Sequence, residues 1–550
     1  MSGPAYAIGI DFGTESGRAL LLDLRTGAEV AVSEMPYRSG VIDRVLPETG
    51  EELGDDWALQ DPDDWVAVVD AAIPAVLAAA DVPAEEVIGL GVDFTSCTVL
   101  PVTGDGTPLC ALPEWRARAH AWPKLWKHHA AQPIADHLNE VATERGEEFI
   151  SRYGGRLSSE WYFPKLIELW LSDRAVYDAA AGFIEATDWI VWHLTGNERR
   201  QRCTAGYKAC WSERDGLPSA DYFEAAFPGF SRPAEKLGTT FWPLGSQAGT
   251  LRAEIAAHLG LPETVAVAVG NVDSFVSVPG AGIEEPGIYL MVVGTSICDL
   301  VIDPDETRLP GITGVVADGI LPGFYGYEAG QVAVGDMLAW FVDELAGRAA
   351  GDGYAELERS AAHLQAGATG LVALDWWNGN RSILADADLS GAIFGLTLQT
   401  RPVEIYRALL ESIAFGNRRV MENFAEHGLE LGEIVACGGI AEKSPLLMQL
   451  IADTSQRRVR LPASSQIPAR GAALFGAVAA GAQAGGFDDI ATAVAATRPA
   501  TARVYEPDRE AGPIYDQVYA VYRGLYETLG RAQADLLRGL KRIRAERAGV

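Results

Sequence analysis

No Gly-x-x-x-x-Gly-Lys-Ser/Thr stretch occurs in this 550-residue chain, and no Gly-x-Gly-x-x-Gly follows an apolar run. The first absence excludes a P-loop nucleotide site, and the second removes the dinucleotide fingerprint. Cysteine is scarce: six residues (Cys97, Cys110, Cys203, Cys210, Cys298, Cys437) are scattered without a Cys-x-x-Cys pair. They read as free thiols in a reducing compartment, not as disulfide staples or zinc ligands. No apolar window is long enough to span a bilayer. Residues 65–80 carry Asp70 and Pro74, and residues 471–485 are rich in Ala and Gly. The start, MSGPAYAIGIDFG, shows no basic segment ahead of an apolar one, so no signal peptide is expected and the cytoplasm is the expected location. Positive charge is also short. Against 75 Asp and Glu stand 44 Lys and Arg, a net charge of -31, which disfavours nucleic acid or an anionic membrane as partner. A phosphate-binding function would have to gather local dipoles and cations.

What is present is a long chain with 48% hydrophobic residues, enough for two or more domains with cores of their own. Residues 6–10 form an apolar run closed by Asp11, then Gly13 and Thr14, then a second apolar run, which reads as strand, tight turn, strand. A further run over 87–92 ends in Asp93. Residues 175–193 show helical apolar spacing, and Pro164 suits the first turn of a helix that continues through 165–171. Residues 265–269 read as a buried strand leading to Gly270-Asn271-Val272-Asp273. The stretch 281–287 (AGIEEPG) breaks the pattern and marks a domain boundary. Beyond it the opening recurs: an apolar strand over 288–293, Gly294-Thr295-Ser296, and a strand over 299–302 closed by Asp303. The placement of the two copies points to duplication of one α/β unit. Later come a helix with an apolar face from Ile405 to Phe424, a buried strand over 434–437 meeting Gly438-Gly439, and Ser444-Pro445 as N-cap and first residue of a helix over 446–454. From Pro468 a helix of small residues allows close backbone approach. The last ~45 residues read as a helical appendage, with Lys541, Arg542 and Arg544 at a solvated helix end.

Three places can carry chemistry. In Asp11-Phe-Gly13-Thr14-Glu15-Ser16-Gly17-Arg18, the glycines permit a turn whose backbone N–H groups face an anion, with Arg18 nearby and Asp11 able to hold the water shell of Mg²⁺. An ordinary β-hairpin is the alternative. Gly438-Gly439 suits a flat ligand such as adenine lying on backbone, or a simple turn. Asp273 is either a proton acceptor for an alcohol in phosphoryl transfer or the N-cap of the next helix.

Together these pieces resemble the FGGY carbohydrate kinases, from Ile8 to about Gly481. The resemblance is strongest in GGRLSSEW (154–161), CTAGYKACW (203–211), VVGTSICDL (292–300), GYEAGQVAVGD (326–336), LDWWNGNRS (374–382) and ACGGIAEKSPLLMQ (436–449). Within the family, the SSEW, TAGYK and LDW-NG-R stretches are similar to those of the ribulokinase branch. A Lys-x-x-Trp signature is only loosely kept, as Lys165 is followed by Trp170 two positions late. The resemblance implies an α/β chain of two ribonuclease-H-like (actin-like ATPase) domains around a central cleft. Residues 1–283 would be the sugar-binding domain, 287–485 the ATP-binding domain and 486–550 a helical extension. It implies Asp273 as catalytic base and Asp11 as the acid organising Mg²⁺. Gly13, Thr14 and Arg18 would form a first phosphate loop, Gly294 and Thr295 a second, and Gly438, Gly439 and Ser444 the adenosine site. Ser96, Lys208, Asp273 and Glu328 would contact the sugar, Lys208 and Glu328 gripping hydroxyls from opposite sides. The substrates implied are ATP and L-ribulose, in arabinose breakdown, and a homodimer is the family expectation. The alternatives are a kinase for another pentulose or pentitol (D-ribulose, xylulose) and a non-sugar actin-like ATPase.

Overall fold

The run YAIGIDF forms the strand Tyr6–Phe12, buried from Ala7 onward. A strand covered on both faces needs a continuous apolar run, and here it has one. The chain turns at Gly13, whose N–H donates to the Ser16 carbonyl (2.9 Å), and returns antiparallel as Ser16–Asp23. Glu29–Pro36 adds a third antiparallel strand, alternately half-buried and exposed as an edge requires. On the other side Val87–Phe94 and then Ala266–Ala268 join in parallel, followed by antiparallel Gln247–Thr250. The two-residue strand Asn271–Val272 continues beside Asp93 and Phe94. The computed structural model describes residues 5–347 and 352–548.

The second half repeats the plan. Tyr289–Val293 turns at Gly294, whose N–H donates to the Ser296 carbonyl (2.8 Å), and returns antiparallel as Ile297–Asp303. Tyr325–Gln331 is the third antiparallel strand, and Ile434–Cys437 and Val459–Pro462 are the parallel neighbours on the far side. Each sheet therefore holds three antiparallel strands followed by two parallel ones in the same connectivity. This is the ribonuclease-H-like unit, present twice, and the internal duplication expected from the two Gly-Thr turns is real. Gly314–Ala317 and Thr501–Tyr505 extend the second sheet at its edges.

One helix joins the halves. Ile467–Ala480 lies in sequence between two strands of the second sheet, Val459–Pro462 and Thr501–Tyr505, yet packs across the first, on Tyr6–Phe12 and Val87–Phe94. It also packs on Asp273–Gly280, where Gly471 lies against the Val276 carbonyl. Small residues along this helix allow that approach, as the sequence suggested. Residues assigned by sequence to a C-terminal domain of 287–485 thus complete the core of the first sheet.

Two expectations are corrected. Residues 175–193 are not one helix: Gly182–Glu185 is a strand paired with Val99–Val102, between the helices Arg174–Ala179 and Ala186–Thr195. Cross-strand pairing there overrides the helical apolar spacing. The extension over 486–550 is mostly helical, as expected, but it is not merely appended. It supplies the edge strand Thr501–Tyr505, and Tyr515, Tyr519, Tyr522 and Tyr526 of the helix Gly512–Glu527 are buried in the second core. The six cysteines are free. Among the described residues no helix is long and apolar enough to cross a membrane.

Candidate active site

The parallel strands of the first sheet end together, and their last residues line up. In register across the sheet lie Arg18, Asp11, Asp93 and Asn271, with Asp273 just beyond as the first residue of the helix Asp273–Gly280. Three carboxylates thus converge where the strands stop. Asp11 is buried, with the Arg18 guanidinium 3.6 Å away. Burial raises its affinity for a proton and Arg18 partly opposes that. Asp93 is wholly buried, and neither of its oxygens has a hydrogen-bond donor among the described residues. Burial and the carboxylates of Asp11 and Asp273 push it well above the usual carboxylate range. Asp273 rises from 3.8 to about 7, chiefly through burial and then through Asp11, while the Ser274 N–H it accepts (2.5 Å) and Lys208 act the other way. It is not a helix N-cap. Val272 holds that position, so the alternative role for Asp273 fails.

Sequence reasoning placed Asp11 and Asp273 here but left Asp93 without a role. The available signal was its position: Asp93 closes an apolar strand just as Asp11 does, and the two strands pair in register. Among the described residues no three or more His, Cys, Asp or Glu side chains are arranged to hold a metal unaided. Two adjacent carboxylates, one with both oxygens unpartnered, fit a cation that keeps most of its shell as water and phosphate oxygen, as Mg²⁺ does.

The first turn follows Asp11 directly, and the second stands at the equivalent place in the other sheet. Thr14 accepts a hydrogen bond on its hydroxyl from the Trp126 indole (3.0 Å), and its carbonyl accepts from Gln60 (2.8 Å). The Gly13 N–H expected to face an anion instead closes the hairpin, as the Gly294 N–H does in the second copy. Arg18 keeps a buried Nε without a hydrogen-bond partner among the described residues. Thr295 is held through its carbonyl by the Gly335 N–H (3.0 Å). Gly438 lies beside the second turn because Cys437 pairs with Val292. Its φ of 96° favours glycine, and a Cβ there would fall 2.6 Å from the Val293 carbonyl. Gly439 faces open space. Ser444 is the N-cap of Pro445–Ser455, accepting from Leu447 (3.2 Å) and donating to Glu358 (2.9 Å). Its hydroxyl is therefore already engaged.

On the sugar side, Lys208 of the helix Arg202–Ala209 donates to Glu328 of Tyr325–Gln331 at 2.9 Å, both buried. The expectation of two groups on opposite sides of a sugar is corrected: they form one ion pair across the two halves. The Ser96 hydroxyl is buried with no partner among the described residues. Lys165, wholly buried, donates to the carbonyls of Cys97 and Leu125, each at 2.8 Å, which fixes the turn that carries Ser96.

A carboxylate cluster at the strand ends and the same hairpin in each of two ribonuclease-H-like sheets point to a phosphotransferase of the actin-like class. The chain matches the FGGY family of carbohydrate kinases, N-terminal domain over residues 6–280 and C-terminal domain over 289–480. It belongs to that family and is a carbohydrate kinase. It is 48% identical to a ribulokinase of Anoxybacillus flavithermus, over 98% of this chain and 97% of the relative. A ribulokinase of Geobacillus thermodenitrificans is likewise 48% identical, with the same coverage. The crystal structure of a xylulose kinase from Rhodospirillum rubrum superposes with a TM-score of 0.78 at 26% identity, over 95% of this chain and 99% of that one.

Proposed function

We propose that this kinase transfers the γ-phosphoryl group of ATP to the primary C5 hydroxyl of L-ribulose, giving L-ribulose 5-phosphate and ADP. The proposed setting is arabinose breakdown in the cytoplasm. The names of relatives that match over nearly their whole length support the sugar. The observation that carries the chemistry is Asp273, a carboxylate with an affinity for protons near neutrality at the mouth of the acidic cluster. A group of that pKa can take a proton from an alcohol and release it again at physiological pH.

In this reading Asp273 accepts the hydroxyl proton as the sugar oxygen bonds to the γ-phosphorus, and the bond to the β–γ bridging oxygen breaks with its electrons leaving on ADP. Asp11 and Asp93 would hold Mg²⁺, which offsets the charge of the phosphates. Arg18, Thr14 and the turns at Gly13 and Gly294-Thr295 face the phosphate chain, and Gly438-Gly439 present bare backbone to the adenine. Lys208 and Glu328 grip the sugar together. An ammonium has three N–H donors and a carboxylate two oxygens, so a hydroxyl can donate to Glu328 and accept from Lys208 without parting them. Steady-state kinetics with ribulose, xylulose, ribitol and glycerol, each against a sugar-free ATPase control, test the assignment. The highest kcat/KM should fall on L-ribulose; an equal or higher value for xylulose would move the chain to another sugar of the same class.

A further inference from the structure

Lys208–Glu328 is not the only ion pair that crosses between the halves. Arg381, on the loop after the short strand Val372–Leu374, places a guanidinium nitrogen 3.2 Å from Glu160, which lies just ahead of the helix Tyr162–Ser172. The polarity is reversed: cation from the first half to carboxylate of the second in one pair, cation from the second to carboxylate of the first in the other. The pairs also feel each other, Glu160 acting on Lys208 and Arg381 acting with Glu328. Only 26% of the Arg381 side chain and 19% of the Glu160 side chain are exposed, so these charges interact more strongly than surface pairs do.

That arrangement has an energetic consequence. Without Arg381, Glu160 would be a partly buried carboxylate left with the His129 imidazole 3.9 Å away and the buried ammoniums of Lys208 and Lys165. It would compete with Glu328 for the Lys208 ammonium, and Lys208 would no longer be aimed at one partner. We propose that Arg381 and Glu160 are positioning residues for the sugar: their pair occupies the competing carboxylate and so fixes Lys208 on Glu328. This rests on the reading that Lys208 and Glu328 hold the sugar.

The loop that delivers Arg381 is tied down at both ends. The next residue, Ser382, accepts from the Gly330 N–H at 2.9 Å, on the strand that carries Glu328. At its far end Asp386 accepts two hydrogen bonds from Arg538 (2.9 and 2.5 Å), and the Ala387 carbonyl accepts from Lys541 (2.7 Å). Both cations lie on the last helix, Ala534–Ala548. Lys541, read from sequence as part of a solvated helix end, thus joins Arg538 in anchoring a loop that leads back to the sugar contacts.

The test is steady-state kinetics with sugar and ATP varied independently for wild type, Arg381→Gln, the double variant Arg381→Gln/Glu160→Gln, and Arg538→Ala. Arg381→Gln should raise the KM for sugar about tenfold, with the KM for ATP within about twofold. Adding Glu160→Gln removes the competing carboxylate and should recover most of that loss, a rescue that a merely structural role does not give. Arg538→Ala, at a half-exposed side chain that burdens no core, should raise the sugar KM by a smaller factor, about threefold. A double variant as impaired as the single, or KM values for sugar and ATP rising together, would overturn the positioning role. If Arg381→Gln does not fold, Arg538→Ala decides, and an unchanged sugar KM there rejects the anchored loop. A wild type inactive on ribulose would defeat the substrate assignment alone, and the same series is then read on whichever sugar of the panel it phosphorylates.

Discussion

Gly9 of the first strand and Ala469 of the helix Ile467–Ala480 meet backbone to backbone. A Cβ at Gly9 would fall on the Ala469 carbonyl oxygen and 2.7 Å from the Ala473 nitrogen. Gly91 and Gly89 meet Ala472 and Gly476 of the same helix in the same way. The obstacles are main-chain atoms, so no side chain can turn aside to make room. Gly9→Ala is therefore expected to cost about 3 kcal/mol or more, at the upper end of overpacking penalties. Gly524→Ala, on an exposed helical turn with nothing within 4 Å, should instead stabilise by up to ~1 kcal/mol. Chemical denaturation of both variants checks the contrast, and a Gly9→Ala protein as stable as wild type would mean that the helix can lift off the sheet.

Those glycines also mark what the sequence could and could not tell. The strand ends at Asp11 and Asp273, the twin Gly-Thr turns and the small-residue helix were legible because each is a local pattern with one physical reading. The seat of that helix on the first sheet was not, since nothing local in Ile467–Ala480 says which sheet its glycines will meet. Lys208 and Glu328 were both singled out, yet their mutual hydrogen bond joins positions 120 residues apart, and only the fold shows that they face each other. Asp93 was visible as a strand-closing acid. It gained meaning once strand register set it beside Asp11. The tyrosines at 515, 519, 522 and 526 follow helical spacing openly, but their partner, the second core, is not adjacent in sequence.

Lys165 gives a second prediction. Its ammonium is buried and spent on two backbone carbonyls, so its work is to hold the Ser96–Cys97 turn. Lys165→Met fills the same volume but leaves the Cys97 carbonyl without its donor, while the Leu125 carbonyl keeps the His128 N–H (3.0 Å); the orphaned carbonyl is worth about 1–3 kcal/mol. The variant should melt lower, and its KM for sugar should rise while its KM for ATP holds. Thermal denaturation and two-substrate kinetics read both effects; loss of kcat without a change in stability would instead give Lys165 a chemical role.

Asp93 gives a third. Its two oxygens have no hydrogen-bond partner among the described residues, so their expected partner is the cation that accompanies ATP. Asp93→Asn keeps the shape and removes the charge. The magnesium concentration for half-maximal rate should rise about tenfold, comparable to losing one ligand or its support, with sugar KM little changed. A magnesium titration of the rate at saturating ATP measures this, and an unshifted midpoint would remove Asp93 from the metal's surroundings.

Asp273 carries the prediction with two readouts that point in opposite directions. With a pKa of about 7, Asp273 in the proposed role of base must be ionised to accept the sugar proton. The rate should therefore fall as pH drops below about 7, tenfold per unit well below the midpoint, and Asp273→Asn should lose about 10²–10⁴ in kcat together with that acidic limb. The stability effect follows from the same shift. The folded-state pKa lies above the unfolded value near 3.8, so the group favours folding fully only below the unfolded pKa, and that contribution is lost as pH rises through about 7. At pH 8 wild type therefore bears an ionised carboxylate that burial and Asp11 both disfavour, and the Asn variant does not. Asp273→Asn should melt higher than wild type at pH 8, with the difference shrinking toward pH 5, even as activity collapses. Asn can still accept the Ser274 N–H, so no cap is lost. Melting curves and pH–rate profiles on the same preparations decide the matter. A variant that is inactive but also less stable at pH 8 would place Asp273 in the scaffold, and one that keeps its turnover would exclude it as the base.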